Sequence, residues 1–214
     1  MPDASATVLV IDDDPDLRAS VGRLLRSLDL DARLFASVSD FLKSDLPDGP
    51  ACLVLDVRLP GQSGLDFQRE LVGANTQLPI IFITGHGDIP MSVQAMKGGA
   101  IEFLTKPFRD QELLDAIQLG LHRDRARREN ERALTALRKR FGSLSPRERE
   151  IMIQVAQGRL SKQIADDIGI AEATVKVHRS RAMRKMDARS LPELGRMADK
   201  LQLVPDKPNS RTIR

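Results

Sequence analysis

Polar side chains with chemical potential stand at the ends of apolar runs in the first half of the chain: Asp12-Asp13-Asp14, Asp56, Thr84 and Lys106. Carboxylates gathered without cysteine or histidine favour a hard, oxygen-seeking cation, Mg2+ or else Mn2+. Such an ion would offset the repulsion among the carboxylates and orient an incoming phosphoryl group. Asp56 would then serve as nucleophile and form an acyl phosphate. Thr84 and Lys106 would supply hydrogen bonds or charge to the phosphoryl oxygens. Asp14, directly before Pro15, reads as a helix cap instead of a ligand.

This chemistry needs a fold that brings distant residues to one place. Residues 7–11, 32–35, 52–57, 79–84 and 101–104 are short apolar or β-branched runs, and 52–57 and 79–84 are continuous, as expected of central parallel strands covered on both faces. Between and after them, residues 15–28, 38–46, 65–71, 91–97 and 110–121 carry helical patterns; Leu17, Val21, Leu24, Leu25 and Leu28 form one such face. Five strands alternating with five helices predict a doubly wound α/β domain with a parallel sheet. All carboxyl ends of its strands open on one edge, where ligands bind.

The second half is different in kind. Residues 1–120 carry 10 Lys and Arg against 18 Asp and Glu, and residues 121–214 carry 23 against 12. The overall +3 therefore conceals an acidic half and a basic half, the second suited to a polyanion. Residues 121–140 are densely charged, without Gly or Pro until Gly142, so the preceding helix is expected to continue through them. Leu134, Leu137 and Phe141 recur at helical spacing there, either to pack against one of the two domains or a partner helix, or within a solvated charged helix.

From Ser145 the pattern is wholly helical. Ser145-Pro146-Arg147-Glu148 combines an N-cap serine, a proline at the first helical position and a capping-box glutamate. Further helices are expected over 161–168, 172–186 and 191–201, the first two separated by Gly169. Helix, tight turn, helix presents the second helix to a DNA major groove. That second helix would bury Val175, Ala182, Met183 and Met186 and turn Lys176, Arg179, Arg181, Arg184 and Lys185 outward. Residues 205–214 read as a frayed polar tail.

Composition excludes other classes. The single cysteine, Cys52, rules out an internal disulfide or cysteine metal cluster, and it sits in an apolar run as a buried thiol. No run approaches 18 apolar residues, and the N-terminus lacks a signal peptide's basic region, so a cytoplasmic protein with no membrane partner is expected.

The motifs Val8-Leu-Val-Ile-Asp-Asp-Asp-Pro15, Leu53-Val-Leu-Asp-Val-Arg-Leu-Pro-Gly61, Ile83-Thr84-Gly85 and Lys106-Pro107-Phe108 resemble the receiver domain of bacterial response regulators over residues 5–121. The resemblance implies Asp56 as phosphoacceptor and Asp12 and Asp13 as the acidic pair, Asp13 directly on Mg2+ and Asp12 through water. It implies the Arg58 backbone carbonyl in the metal shell, Thr84 and Phe103 as a switch pair, and Lys106 as the phosphate-binding lysine before a cis bond to Pro107. Arg58 and His86, two positions after Asp56 and Thr84, would tune the lifetime of the phosphoryl group.

Residues 143–201, with Leu144-Ser-Pro-Arg-Glu-Arg-Glu150, Gly158, Ile164-Ala165 and Thr174-Val-Lys-Val-His178, resemble the LuxR-type helix-turn-helix of FixJ and NarL-like response regulators. Thr84-Gly-His-Gly-Asp-Ile-Pro-Met91 and Ala95-Met-Lys-Gly-Gly-Ala-Ile-Glu-Phe103 are similar to the FixJ and styrene-sensing branch. By that resemblance Lys176, Val177, Ser180 and Arg181 contact bases, and Thr174, Arg179 and Arg184 contact phosphates. Leu160 and Ala171 depart from the polar caps usual at those helix starts, at a cost of about 1 kcal/mol each.

The resulting expectation is a flavodoxin-like receiver over 1–121, a helical linker over 122–142, an all-α four-helix domain over 143–203 and a disordered tail over 204–214. A sensor histidine kinase would phosphorylate Asp56; the chain would then dimerise, bind promoter double-stranded DNA and engage RNA polymerase. One rival is a DNA-binding regulator gated by protein contact without phosphorylation. Another is an aspartate-dependent phosphatase or phosphotransferase, which usually carries Asp-x-Asp-x-Thr after its first strand; that motif is missing after Ile11. The receiver would catalyse only its own phosphotransfer and dephosphorylation.

Overall fold

The computed structural model describes residues 5–85 and 87–203. Expectations for Met1-Pro2-Asp3, His86 and the tail 204–214 fall outside the described residues. The chain divides into two compact units, Met1–Glu129 and Asn130–Arg214.

In the first unit, β1 (Thr7–Ile11), β2 (Asp31–Phe35), β3 (Ala51–Asp56), β4 (Ile80–Thr84) and β5 (Glu102–Thr105) form one parallel sheet in the order β2-β1-β3-β4-β5. Strand order reverses between β1 and β3, so a crevice forms at their carboxyl ends. Every residue of β1, β3 and β4 is buried, which is why their sequences are continuously apolar instead of alternating. Alternation survives only as a choice of face. Leu9, Leu53, Leu55 and Phe82 enter one core, and Val8, Val10, Cys52, Val54, Ile81 and Ile83 enter the other. The first core is closed by Phe41 of α2 (Val38–Leu42), Phe67 and Leu71 of α3 (Gly64–Gly73) and Ala95 of α4 (Ile89–Lys97). The second is closed by Val21 and Leu25 of α1 (Pro15–Arg26) and by Leu113, Ile117 and Leu121 of α5 (Asp110–Gly142).

Helix α2 is shorter than the sequence pattern predicts, stopping at Leu42 instead of residue 46. Leu42 and Leu46 are 61% and 47% exposed, so these leucines bury little of the apolar face that would sustain another turn. Strand β5 lies one residue later than expected, because Ile101 is a buried entry residue whose N–H donates to Ile80 O at 2.7 Å.

Helix α5 runs unbroken through the charged stretch, as the lack of Gly and Pro predicts. Its charges are not all solvated. The Asp124 carboxylate is buried and accepts from the Ala51 amide at 2.9 Å, at the start of β3, and from Arg127 and Arg128. Arg128 also donates to Pro47 O and Asp48 O. Burial alone would raise the Asp124 pKa, but the Ala51 amide and the two guanidinium groups outweigh it and hold the carboxyl below its usual range.

The second unit is built from the end of α5 with α6 (Pro146–Ala156), α7 (Ser161–Ile168), α8 (Glu172–Met186) and α9 (Leu191–Lys200). Leu137 is buried in its core and Phe141 packs against it, whereas Leu134, the third residue of the stripe, is half-buried. Helix α8 lies on α6 and α7 through Val175, Ala182 and Met186, while Met183 is only half-buried. Among the described residues, no helix is long and apolar enough to cross a membrane.

Helix α6 starts with the complete capping box, Ser145 Oγ accepting from Glu148 N and Glu148 Oε2 from Ser145 N. Helix α7 has half of one: Gln163 Oε1 accepts from the Leu160 N–H at 2.9 Å, but Leu160 offers no acceptor in return. Since Leu160 is 67% exposed, Leu160→Ser sacrifices almost no packing and completes the box. It is expected to stabilise the second unit by about 1 kcal/mol, a rise of about 4 °C in its thermal midpoint by far-ultraviolet circular dichroism. A midpoint equal to or below the parent's would show the cap to be irrelevant.

Candidate functional site

At the carboxyl edge of the sheet, β1 ends before Asp12, β3 ends in Asp56, β4 ends in Thr84, and β5 leads into Lys106. The tight parallel register makes these ends neighbours: Ile11 pairs with Leu55, Asp56 with Ile83 and Thr84 with Thr105. Lys106 Nζ donates to Asp12 Oδ2 at 2.7 Å and to Asp56 Oδ2 at 2.6 Å. One ammonium therefore joins two carboxylates that are 94 and 50 residues away in sequence. Both carboxylates are nearly inaccessible, whereas Asp13 is exposed beside them.

The second oxygen of each carboxylate accepts from backbone. Asp12 Oδ1 accepts from Asp14 N, and Asp56 Oδ1 from Arg58 N, each at 2.9 Å. Arg18 Nη1 donates to the Asp12 carbonyl at 2.6 Å, tying the first loop to α1. Asp14 caps α1 by accepting from Asp16 N and Leu17 N, and so is committed to the helix as its position before Pro15 predicts. Burial raises the Asp12 pKa above the ordinary carboxylate value, with the Lys106 hydrogen bond opposing that rise without cancelling it. For Lys106, burial alone would lower the pKa; the bonds to Asp12 and Asp56 reverse the sign and raise it. The lysine stays charged.

Oxygens of Asp12, Asp13 and Asp56 all lie within 4.8 Å of one another. An all-oxygen, multiply anionic donor set suits a hard divalent cation and disfavours Zn2+, which prefers nitrogen or sulfur. The residues present fit Mg2+.

Thr84 is fully buried, and its carbonyl accepts from Lys106 N at 2.7 Å. Phe103 is half-buried, with its ring 6.3 Å from that of Phe82 in a tilted pair. The Lys106–Pro107 peptide is cis.

Two glycines matter that sequence reading passed over. A Cβ on Gly64 would stand 2.3 Å from the Asp56 carbonyl oxygen, so the first turn of α3 can press against the Asp56 backbone only without a side chain. A Cβ on Gly87 would stand 2.9 Å from Phe103 Cε1 and 3.2 Å from Thr84 Cγ2, so Gly87 leaves room where those two side chains meet. Neither follows from local pattern, since each clash depends on how the following helix or strand packs back on the preceding strand end.

On α8, Thr174, Lys176, Val177, Ser180, Arg181 and Arg184 are exposed and share an arc of roughly 160° opposite the buried Val175, Ala182 and Met186. Lys176 pairs with Glu172 at 2.8 Å on the surface. Arg179 is half-buried and donates to Ser161 Oγ at 3.1 Å, so it lies at the edge of this face. Lys185 is exposed as expected, but its ammonium is engaged. Its ammonium turns to α6 and donates to Glu148 Oε2 at 2.6 Å and to Ser143 O at 3.2 Å. That ammonium, with the Ser145 amide, holds the Glu148 carboxyl below its usual range.

Comparison with known proteins matches residues 8–118 to the response regulator receiver domain and residues 142–198 to the bacterial regulatory proteins of the luxR family. Nodulation protein W of Bradyrhizobium diazoefficiens is 55% identical over 196 residues, 92% of this chain and 86% of that protein. The transcriptional regulatory protein FixJ of Azorhizobium caulinodans is 43% identical, over 92% of this chain and 93% of its own length. Among solved structures, the response regulator StyR is similar with a TM-score of 0.83 and 46% identity, over 92% of this chain and all of that one.

Proposed function

This chain belongs to the two-component response regulators that join a receiver domain to a LuxR-type DNA-binding domain, and on that premise we propose that Asp56 takes a phosphoryl group from a sensor histidine kinase and thereby controls promoter binding. The observation that carries the reading is the convergence of Asp12, Asp13, Asp56 and Lys106 at one sheet edge.

In the proposed step an Asp56 carboxylate oxygen attacks the phosphorus of a phosphohistidine. A P–O bond forms, the P–N bond breaks, and the imidazole leaves with its electron pair and is protonated by solvent. The Asp12, Asp13 and Asp56 carboxylates, with the Arg58 backbone carbonyl, would hold Mg2+ or Mn2+, which when bound would supply charge neutralisation for the phosphoryl oxygens. Lys106 has its ammonium already on Asp56 and needs only a small shift to meet the new phosphoryl group. The Thr84 hydroxyl is the second donor. Its movement toward the phosphoryl group vacates space that the half-buried Phe103 ring fills, and the glycine at position 87 provides the clearance for that exchange.

The product carries roughly two negative charges at pH 7. The changed surface of α4, β5 and α5 then favours a homodimer, which presents two copies of α8 to a symmetric site in double-stranded DNA. Lys176, Val177, Ser180 and Arg181 read bases, Thr174, Arg179 and Arg184 hold phosphates, and the bound dimer engages RNA polymerase in the cytoplasm. Receiver chemistry here is signalling on the protein's own aspartate, with no external substrate turned over.

Acetyl phosphate with Mg2+ is expected to shift the full chain from monomer to dimer by light scattering and to tighten its binding to a duplex enriched from a random-sequence pool. The logarithm of affinity should fall linearly with the logarithm of salt, with a slope of about −0.9 per phosphate contacted. Unchanged mass and affinity with acetyl phosphate, despite labelled Asp56, would favour gating by protein contact. A salt-independent affinity would remove the DNA reading.

A further inference from the structure

The recognition helix α8 is fastened at its C-terminal end by two elements that no DNA-contact argument requires. Lys185 reaches the Glu148 carboxylate, whose side chain is only 5% exposed, and it also caps the Ser143 carbonyl. Arg140, at the end of α5, donates to Met186 O at 3.3 Å and pairs with Asp187 at 3.2 Å. Asp187 is the left-handed cap residue that ends α8, with φ 59°. The segment from Arg140 to Glu148 thus grips the last turn of α8 by its carbonyl, its cap and one cationic side chain. The Arg140–Asp187 pair is exposed and contributes little by itself. The Lys185–Glu148 pair differs: its carboxylate is buried, doubly bonded and already serving the capping box of α6.

Resting on the DNA-binding reading above, we propose that Lys185 is a positioning residue, which with Glu148 fixes the pitch of α8 against α6, and that it does not neutralise a DNA phosphate. Direct contact residues on α8 must be held to within a fraction of an ångström for bidentate base recognition. A cation committed to a buried carboxylate at 2.6 Å is poorly placed to release it for a solvated phosphate, because the carboxylate would be left buried and unpaired.

The test compares Lys185→Met with the parent full chain on two probes, the enriched duplex and the unselected pool, over a range of salt. Methionine keeps the apolar stem, and Glu148 still accepts from the Ser145 amide but loses its cation, so circular dichroism at 222 nm and the thermal midpoint check that the fold survives, while Glu148→Gln breaks the same tie without leaving a buried charge. Positioning predicts affinity for the enriched duplex lower by roughly tenfold, the equivalent of one lost base contact, with the pool bound within about twofold of the parent. The salt slope stays that of the parent. Glu148→Gln should move in the same direction, and the double variant should be no worse than the poorer single, since both break one tie. A slope smaller by about 0.9 in Lys185→Met would mean a lost phosphate contact and overturn the proposal. Equal losses on both probes, or no loss on either, would overturn it as well. If the parent itself shows no preference for the enriched duplex, the DNA reading fails first, and that outcome is distinct from all of these.

Discussion

Asp56→Asn is expected to take up no phosphoryl group from acetyl phosphate, and with it to lose all phosphate-stimulated dimerisation and DNA binding. The substitution is nearly isosteric, and the single asparagine oxygen can accept from either the Arg58 N–H or the Lys106 ammonium, where Asp56 accepts from both. What disappears is the nucleophilic oxygen pair and one negative charge. Lys106 keeps Asp12 as its partner, so the ammonium is not stranded. Removing one of three clustered carboxylates relieves repulsion, and the thermal midpoint of the first unit should be unchanged or higher. The combination is diagnostic: function lost, stability kept. Acid gels with a phosphate-retarding matrix, and mass spectrometry of the intact chain, give the direct readout. A hydroxylamine-sensitive phosphoryl group on the asparagine variant would move the acceptor to Asp12 or Asp13 and sink the assignment of Asp56.

Gly64→Ala should be the most damaging single methyl group in the first unit. Its Cβ would sit 2.3 Å from the Asp56 carbonyl oxygen, 3.2 Å from the Asp56 carbonyl carbon and 3.2 Å from Leu55 Cγ. Backbone cannot step aside there, because β3 is a central strand paired with β1 and β4, and the Gly64 N–H is bonded to Val57 O at 2.9 Å. The overpacking is expected to cost about 3 kcal/mol, a fall of about 10 °C in the midpoint of the first unit. Because the displaced group is the backbone that carries the nucleophile, labelling by acetyl phosphate should also slow by on the order of tenfold or more. Gly73→Ala, in the same helix with open space around its Cβ, is the control and should be neutral or slightly stabilising. Wild-type melting and labelling in Gly64→Ala would show that α3 yields easily and that the close approach is not a constraint.

Most of the architecture was legible in advance because it is written in short-range signals. Buried parallel strands announce themselves as continuous apolar runs, and β1, β3 and β4 are buried from end to end. Ser145, Pro146 and Glu148 marked the start of α6 because capping is settled within one turn. Helix α2 was overextended because leucines at 42 and 46 look alike whether or not a partner surface exists to cover them. Asp124 looked like one more charge on a solvated helix, and its burial depends on Ala51, 73 residues earlier.

By itself the sequence determined which side chains could do chemistry: three carboxylates, a threonine and a lysine placed at strand ends, and a cationic helix following a glycine turn. It did so because strand ends, turns and caps are encoded by neighbours in the chain. Tertiary structure alone decided the pairings. It put one lysine between Asp12 and Asp56, required glycine at 64 and 87, buried Asp124, and tied the ammonium of the exposed Lys185 to Glu148. The ion pairs among them join residues tens of positions apart, and the cost or gain of every one depends on distances of tenths of an ångström that no local pattern carries.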